Sequence, residues 1–175
     1  MNKTELKKLK KNILKTEHLV FDQLKKNQKK DLFKFCDLYK SFLDHSKTER
    51  EAAKSIITAA EKKGYQNIDS FLKSQKRLPE KWYKIHQDRC IALAHIGNSP
   101  LISGANIIAS HIDSPRLDLK QNPVYEDLGL GLLKTHYYGG IRKYHWLAVP
   151  LAIHGTIIKA DNTSVDVTIG EDPED

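Results

Sequence analysis

Three observations along this chain predict an α/β fold. Apolar residues in the first half recur at helical spacing, the period switches to two from Pro79, and a short apolar run at 105–109 has the character of a buried strand. Leu32, Phe35, Cys36, Tyr39, Phe42 and Leu43 stand at i, i+3, i+4, i+7, i+10 and i+11, one stripe of a helix with Asp31 as its expected cap. Thr48 and Glu51 have the spacing of a capping box that opens a second helix. Ala52, Ala53, Ile56, Ile57 and Ala60 would line its buried face, and Lys62-Lys63-Gly64 is a stop signal. A short element at 68–72 follows Asn67.

Beyond Pro79, residues 81–85 and 89–96 read as strands joined by a tight turn at Gln87-Asp88. Gly97-Asn98-Ser99-Pro100 is a turn cluster. Residues 105–110 are expected to form a strand in the centre of a sheet covered on both faces. After Asp118 the segments 124–133, 147–159 and 165–169 read as β-rich, with turns at Gly139-Gly140 and Asp161-Asn162.

Composition narrows the class. With 175 residues, 39% hydrophobic and 29% charged, the chain suits a globular protein of one domain or slightly more. Its net charge of +7 is concentrated in residues 1–30, which hold ten lysines against Glu5, Glu17 and Asp22. Such a segment can meet nucleic acid or anionic lipid. Lys outnumbers Arg 24 to 5, Phe21 is the one aromatic of the segment, and Leu6, Leu9, Ile13 and Leu14 keep helical spacing, so a solvated helix face is favoured over nucleic-acid binding. No apolar run approaches the ~18 residues of a membrane span. Cys36 and Cys90, without a C-x-x-C pattern, are expected to be two buried thiols in a reducing cytosol rather than a zinc–thiolate site, and the protein is expected to be cytoplasmic.

The candidate chemistry lies in Ser110-His111-Ile112-Asp113-Ser114-Pro115. On an extended chain, side chains two apart fall on one face, so Asp113 can accept one ring N–H of His111. That contact fixes the tautomer and makes the other nitrogen a better metal ligand. The spacing equally suits a hydrogen-bonded strand-end histidine with Asp113 capping the turn before Pro115. Of the other histidines, His136, His145 and His154 read as interface or core groups, and His86 and His95 as surface groups. Arg116 and Asp118 alternate on an extended segment and suit an ion pair. Gly139-Gly140 lacks the context of a phosphate loop and suits positive φ or close backbone approach at a subunit contact.

The wider segment separates the two readings of His111. His111-Ile-Asp-Ser-Pro-Arg-Leu-Asp-Leu-Lys120, Leu132-Leu-Lys-Thr-His-Tyr-Tyr-Gly-Gly-Ile141 and Tyr144-His-Trp-Leu-Ala-Val-Pro-Leu-Ala-Ile-His-Gly155 closely resemble the zinc aminopeptidase family of aspartyl aminopeptidase and vacuolar aminopeptidase I, nearest its bacterial branch. The helical stretch 33–60, with Lys47-Thr-Glu-Arg-Glu-Ala52, and the closing Ile169-Gly-Glu-Asp172 resemble that branch too. One departure is Leu19-Val-Phe-Asp22, where a Trp-Glu pair is typical.

The resemblance implies an α/β/α metallopeptidase catalytic domain interrupted by a β-rich dimerisation domain, both incomplete here. Residues 1–120 would be the N-terminal part of the first and 121–175 the start of the second, with the break at 119–122. It implies a metal-dependent aminopeptidase acting on peptides through two divalent ions, usually zinc, with other divalent metals open. His111 corresponds to a metal ligand and Asp113 to the catalytic residue that orients it, with the other ligands beyond this chain. It also implies a homo-oligomer built from dimers, a dodecamer being one such assembly. The aromatics Tyr125, Tyr137, Tyr138, Tyr144 and Trp146 then suit a dimer contact or the core of the inserted domain. A contrasting expectation is a non-catalytic assembly or interaction fragment of such an enzyme.

Overall fold

The computed structural model describes residues 2–14, 19–74 and 77–172. Lys15, Glu17 and the closing residues 173–175, part of the charge and end patterns above, lie outside them. The chain divides into two compact units, Met1–Ser41 and Phe42–Asp175.

The first unit is helical: α1 (Lys3–Ile13), α2 (Val20–Gln23) and most of α3 (Lys26–Asp44). Asn2 and Glu5 form a reciprocal capping box at the start of α1, each side chain accepting the other's backbone N–H at 2.8 Å. Leu6, Leu9 and Ile13 share an exposed side of that helix, beside its lysines. α3 begins five residues before the Asp31 cap expected from the sequence. The cause is local: Gln28 Oε1 accepts the Lys25 N–H at 2.9 Å and supplies the cap instead. Phe21 meets Phe33 edge to face, with centroids 6.2 Å apart, and Lys29 lies over the Phe21 ring. The expected stripe forms, yet Leu32, Phe35 and Tyr39 along it are exposed.

The second unit holds the core. α4 (Glu49–Glu61) opens on the expected capping box, Thr48 with Glu51. It closes with Tyr65 N–H on Ala60 O and Gly64 N–H on Glu61 O, the paired bonds of a Schellman end. Ala52, Ala53 and Ala60 are buried, as are Ile68 and Tyr83. A three-stranded sheet consists of β1 (Gln66–Asn67), parallel to β2 (Lys81–His86), and β3 (Cys90–His95), antiparallel to β2. The turn at Gln87-Asp88 has positive φ at both residues, the hand that matches strand twist. Tyr83 Oη donates to Glu61 Oε1 at 2.7 Å, tying β2 to the end of α4. Between β1 and β2, α5 (Asp69–Ser74) starts where Asn67 Oδ1 accepts the Asp69 N–H.

Two further hairpins follow: β4 (Arg116–Asp127) with β5 (Leu130–Tyr138), and β6 (Ile153–Ile158) with β7 (Ser164–Ile169). The expected single segment 124–133 is split by a turn at Leu128-Gly129, where both residues have positive φ. The segment 147–159 becomes a strand only from Ile153, because Ala148 takes positive φ and Pro150 follows. β4 runs through 119–122, but its pairing with β5 shifts register between Leu119 and Val124.

Two expectations fail. Residues 105–110 form no strand, and Ile107 and Ile108 are 87% and 97% exposed. A central strand is made by ladders on both sides, and no described residue supplies them. Cys36 and Cys90 are exposed, not buried, since the α3 stripe is uncovered and Cys90 opens an edge strand. Among the described residues no helix is long and apolar enough to cross a membrane.

Candidate metal site

His111 and Asp113 lie in the extended connection that leads into β4. His111 Nδ1 is 3.0 Å from both Asp113 Oδ1 and Asp113 O. A carbonyl and a carboxylate only accept, so Nδ1 carries the proton and the lone pair resides on Nε2. Nε2 makes no hydrogen bond among the described residues, and the His111 side chain is 80% exposed. That is the donor a zinc ion takes from histidine, steadied by an outer carboxylate. It is one corner of a site: no group of three or more His, Cys, Asp and Glu able to hold a metal exists among the described residues.

Asp113 is held from its other side as well. Tyr138 Oη donates to Asp113 Oδ2 at 2.7 Å. This hydrogen bond is the main reason the Asp113 carboxyl titrates below its usual range, with the Asp113 backbone and His111 adding to it. The same contact pushes the Tyr138 hydroxyl up. Tyr138 closes β5 and stands directly opposite Arg116, the first residue of β4, whose guanidinium lies 4.2 Å from the ring centroid. Arg116 is anchored by Asp118 Oδ1 at 2.7 Å, Glu49 Oε1 at 3.1 Å and the Ser114 carbonyl at 3.3 Å. Asp118 is two along the same strand, so the expected pair forms on one face, while Glu49 was not foreseen. Burial opposes the Arg116 charge, but the two carboxylates outweigh it and raise its pKa. Gly139 follows with φ of +77°, and a Cβ there would lie 3.4 Å from Pro115 Cα. The expected positive φ is found at Gly139, and it keeps the end of β5 in van der Waals contact with Pro115 of the Asp113 loop.

A second histidine cluster lies on the other hairpin. His154 Nδ1 meets Glu51 Oε1 at 2.7 Å, and Nε2 meets Glu171 Oε1 at 3.0 Å. Its side chain is 14% exposed, which fits the core reading of this residue. Burial alone would depress its pKa, yet the two carboxylates hold it above the ordinary imidazole value. Glu51 is driven down: burial would raise it, but His154 and Thr48 together outweigh that. Gly170, with φ of +87°, turns the chain so that Glu171 reaches His154. Thr48, Pro115, Arg116, Trp146, Leu151 and His154 help to line a cleft of about 500 Å³ that neither His111 nor Asp113 borders. His145 packs edge to face on Tyr144, and His136 Nδ1 lies 3.1 Å from the Tyr137 carbonyl. His95, expected to be a surface group, is exposed and pairs with Glu80 at 2.8 Å.

A mixed α/β chain with a histidine steadied for metal ligation has the makings of a metallopeptidase, and comparison with known proteins gives that class a family. Residues 42–173 match the model of Aminopeptidase I zinc metalloprotease (M18). A Clostridium acetobutylicum protein named probable M18 family aminopeptidase 1 is 46% identical over 166 residues, spanning 94% of this chain and 36% of that protein. The crystal structure of aminopeptidase I from Borrelia burgdorferi B31 superposes with a TM-score of 0.81 at 35% identity, over 90% of this chain and 39% of that one. The Thermotoga maritima aminopeptidase of the M18 family gives 0.80 at 38% identity, over 92% and 35%. The chain belongs to the M18 aminopeptidase family, and it spans little more than a third of the length of these relatives.

Proposed function

We propose that this chain supplies the N-terminal part of a metal-dependent aminopeptidase that removes N-terminal residues from peptides at a dinuclear centre, with His111 as one ligand. The observation that carries the proposal is the 3.0 Å approach of His111 Nδ1 to two acceptor oxygens of Asp113, which leaves Nε2 for a metal. Asp113 holds the ring in that tautomer and makes Nε2 more basic. When bound, zinc supplies polarisation of the scissile carbonyl and a water whose pKa falls to about 7. A single histidine does not complete a zinc site, so the rest of the ligand set comes from residues outside this chain.

In the same proposal, residues 1–120 belong to a catalytic α/β domain and residues 121–175 begin an inserted β-rich domain that mediates dimer contacts. Exposed aromatics on the β4–β5 hairpin and beyond it, Tyr125, Tyr137 and Tyr144, suit such a contact within a dimer-based homo-oligomer, a dodecamer included. The enzyme works in the cytoplasm. The test is an assay of the complete enzyme on dipeptides before and after chelation. Activity lost on chelation and regained with zinc supports the proposal, and full activity in the chelated enzyme refutes it.

A further inference from the structure

We infer that Tyr138 is a positioning residue for the metal site: its hydroxyl locks the Asp113 carboxylate that orients His111, and Arg116 and Glu49 hold its ring in place. The inference rests on the reading of His111 as a metal ligand and goes one layer beyond it.

Asp113 sits in a loop without a strand partner, so no strand pairing helps to set its carboxylate. Two directional bonds do so. Oδ1 takes the His111 N–H at 3.0 Å, and Oδ2 takes the Tyr138 O–H at 2.7 Å. With one oxygen committed to each, the carboxyl plane cannot rotate without losing a charge-assisted bond. Tyr138 in turn is set by register. It stands opposite Arg116 across the β4–β5 ladder, and the guanidinium stacks on its ring at 4.2 Å. Arg116 is pinned at 2.7 Å by Asp118 and at 3.1 Å by Glu49, in the first turn of α4. A continuous line of contacts therefore runs from the start of α4, through the base of the hairpin, to the imidazole. Movement of the hairpin, whose residues 121–138 belong to the inserted domain in the proposed division, would be felt at the ligand.

The test uses the complete enzyme and reads zinc affinity by competition with a chromogenic chelator, beside turnover and thermal midpoint. Tyr138→Phe keeps the ring and its stacking and removes only the hydroxyl. It should weaken zinc binding about 3- to 10-fold, below the ~10–100-fold expected of Asp113→Asn. Its thermal midpoint should match wild type, and saturating zinc should restore most of its turnover. Tyr137→Phe, next in sequence but not on Asp113, should leave zinc affinity unchanged.

Asp113→Asn weakened with Tyr138→Phe unchanged would overturn the role of Tyr138 and leave the metal reading standing. Both unchanged would remove the metal reading and this inference together. A lowered midpoint with normal zinc affinity would make Tyr138 merely structural and overturn the inference, as would an equal loss in Tyr137→Phe. Should Tyr138→Phe fail to fold, Arg116→Lys carries the test: it retains the charge beside Glu49 and Asp118 but loses the planar face on the ring. A zinc affinity weakened about 2- to 3-fold supports the inference and an unchanged one overturns it.

Discussion

Of the histidines that meet carboxylate, His154 and His111 form the sharpest contrast. His154 is 14% exposed and has both ring nitrogens taken, by Glu51 and Glu171. His111 is 80% exposed and has one nitrogen taken, by Asp113, with Nε2 carrying the lone pair. The first arrangement saturates the imidazole and spends it on joining α4 to β6 and the end of β7. The second leaves one imidazole nitrogen open, as the proposed metal ligation requires. The contrast shows that a nearby carboxylate alone does not mark a ligand. What His111 has and His154 lacks is open space at the second nitrogen.

The largest effect that would break this contrast is at His111. In the complete enzyme His111→Ala should lower kcat/KM and zinc content by more than the ~100-fold upper limit for an outer partner, with the fold intact by circular dichroism. Asp113→Ala should follow with a loss of ~10–100-fold in zinc affinity or turnover. Wild-type values for both would reduce Asp113 to a turn cap.

His154 should behave the other way: His154→Gln should leave zinc affinity unchanged and lower stability by about 1 kcal/mol. The pH dependence sharpens the distinction. His154 titrates above its ordinary 6.5 when folded, so its contribution is fully present below that value and is lost as pH rises through the folded pKa. Glu51 titrates below its ordinary 4.5, so its contribution is present above 4.5 and is lost as pH falls through its folded pKa. The stability difference between wild type and His154→Gln should therefore be greatest between pH 4.5 and 6.5 and shrink on either side. A difference that grows through alkaline pH would contradict the ion pair. The smallest expected effect is Thr48→Ala, which removes one arm of the α4 capping box and should cost ~1 kcal/mol in denaturant melts without touching zinc binding.

How much of this was legible in the sequence follows from how local each signal is. The Thr48–Glu51 box, the Gln87-Asp88 turn and the His111–Asp113 contact each span a few residues, and all three appear where the sequence put them. The buried strand at 105–110 does not, because a strand exists only with its ladder and the apolar run states nothing about where that ladder is. The partners of His154 lie 103 and 17 residues away, and Tyr138 lies 25 residues from Asp113. The first is bridged by the contact of α4 with β6 and the other two by hairpin pairing, and within β4–β5 a register shift between Leu119 and Val124 is not revealed by alternation of side chains. The polar residues around Asp113 were visible one by one, as Arg116, Asp118 and Tyr138. Their convergence depended on pairing that only the fold supplies.

The central claim is that His111 gives Nε2 to a metal while His154 gives nothing. Diffraction from crystals of the complete enzyme grown with zinc, recorded above and below the zinc absorption edge, tests it directly. An anomalous peak is expected about 2.0–2.1 Å from His111 Nε2, with Asp113 still on Nδ1 and no peak near His154. A peak on His154, or a zinc site with the His111 ring turned to solvent, would contradict it.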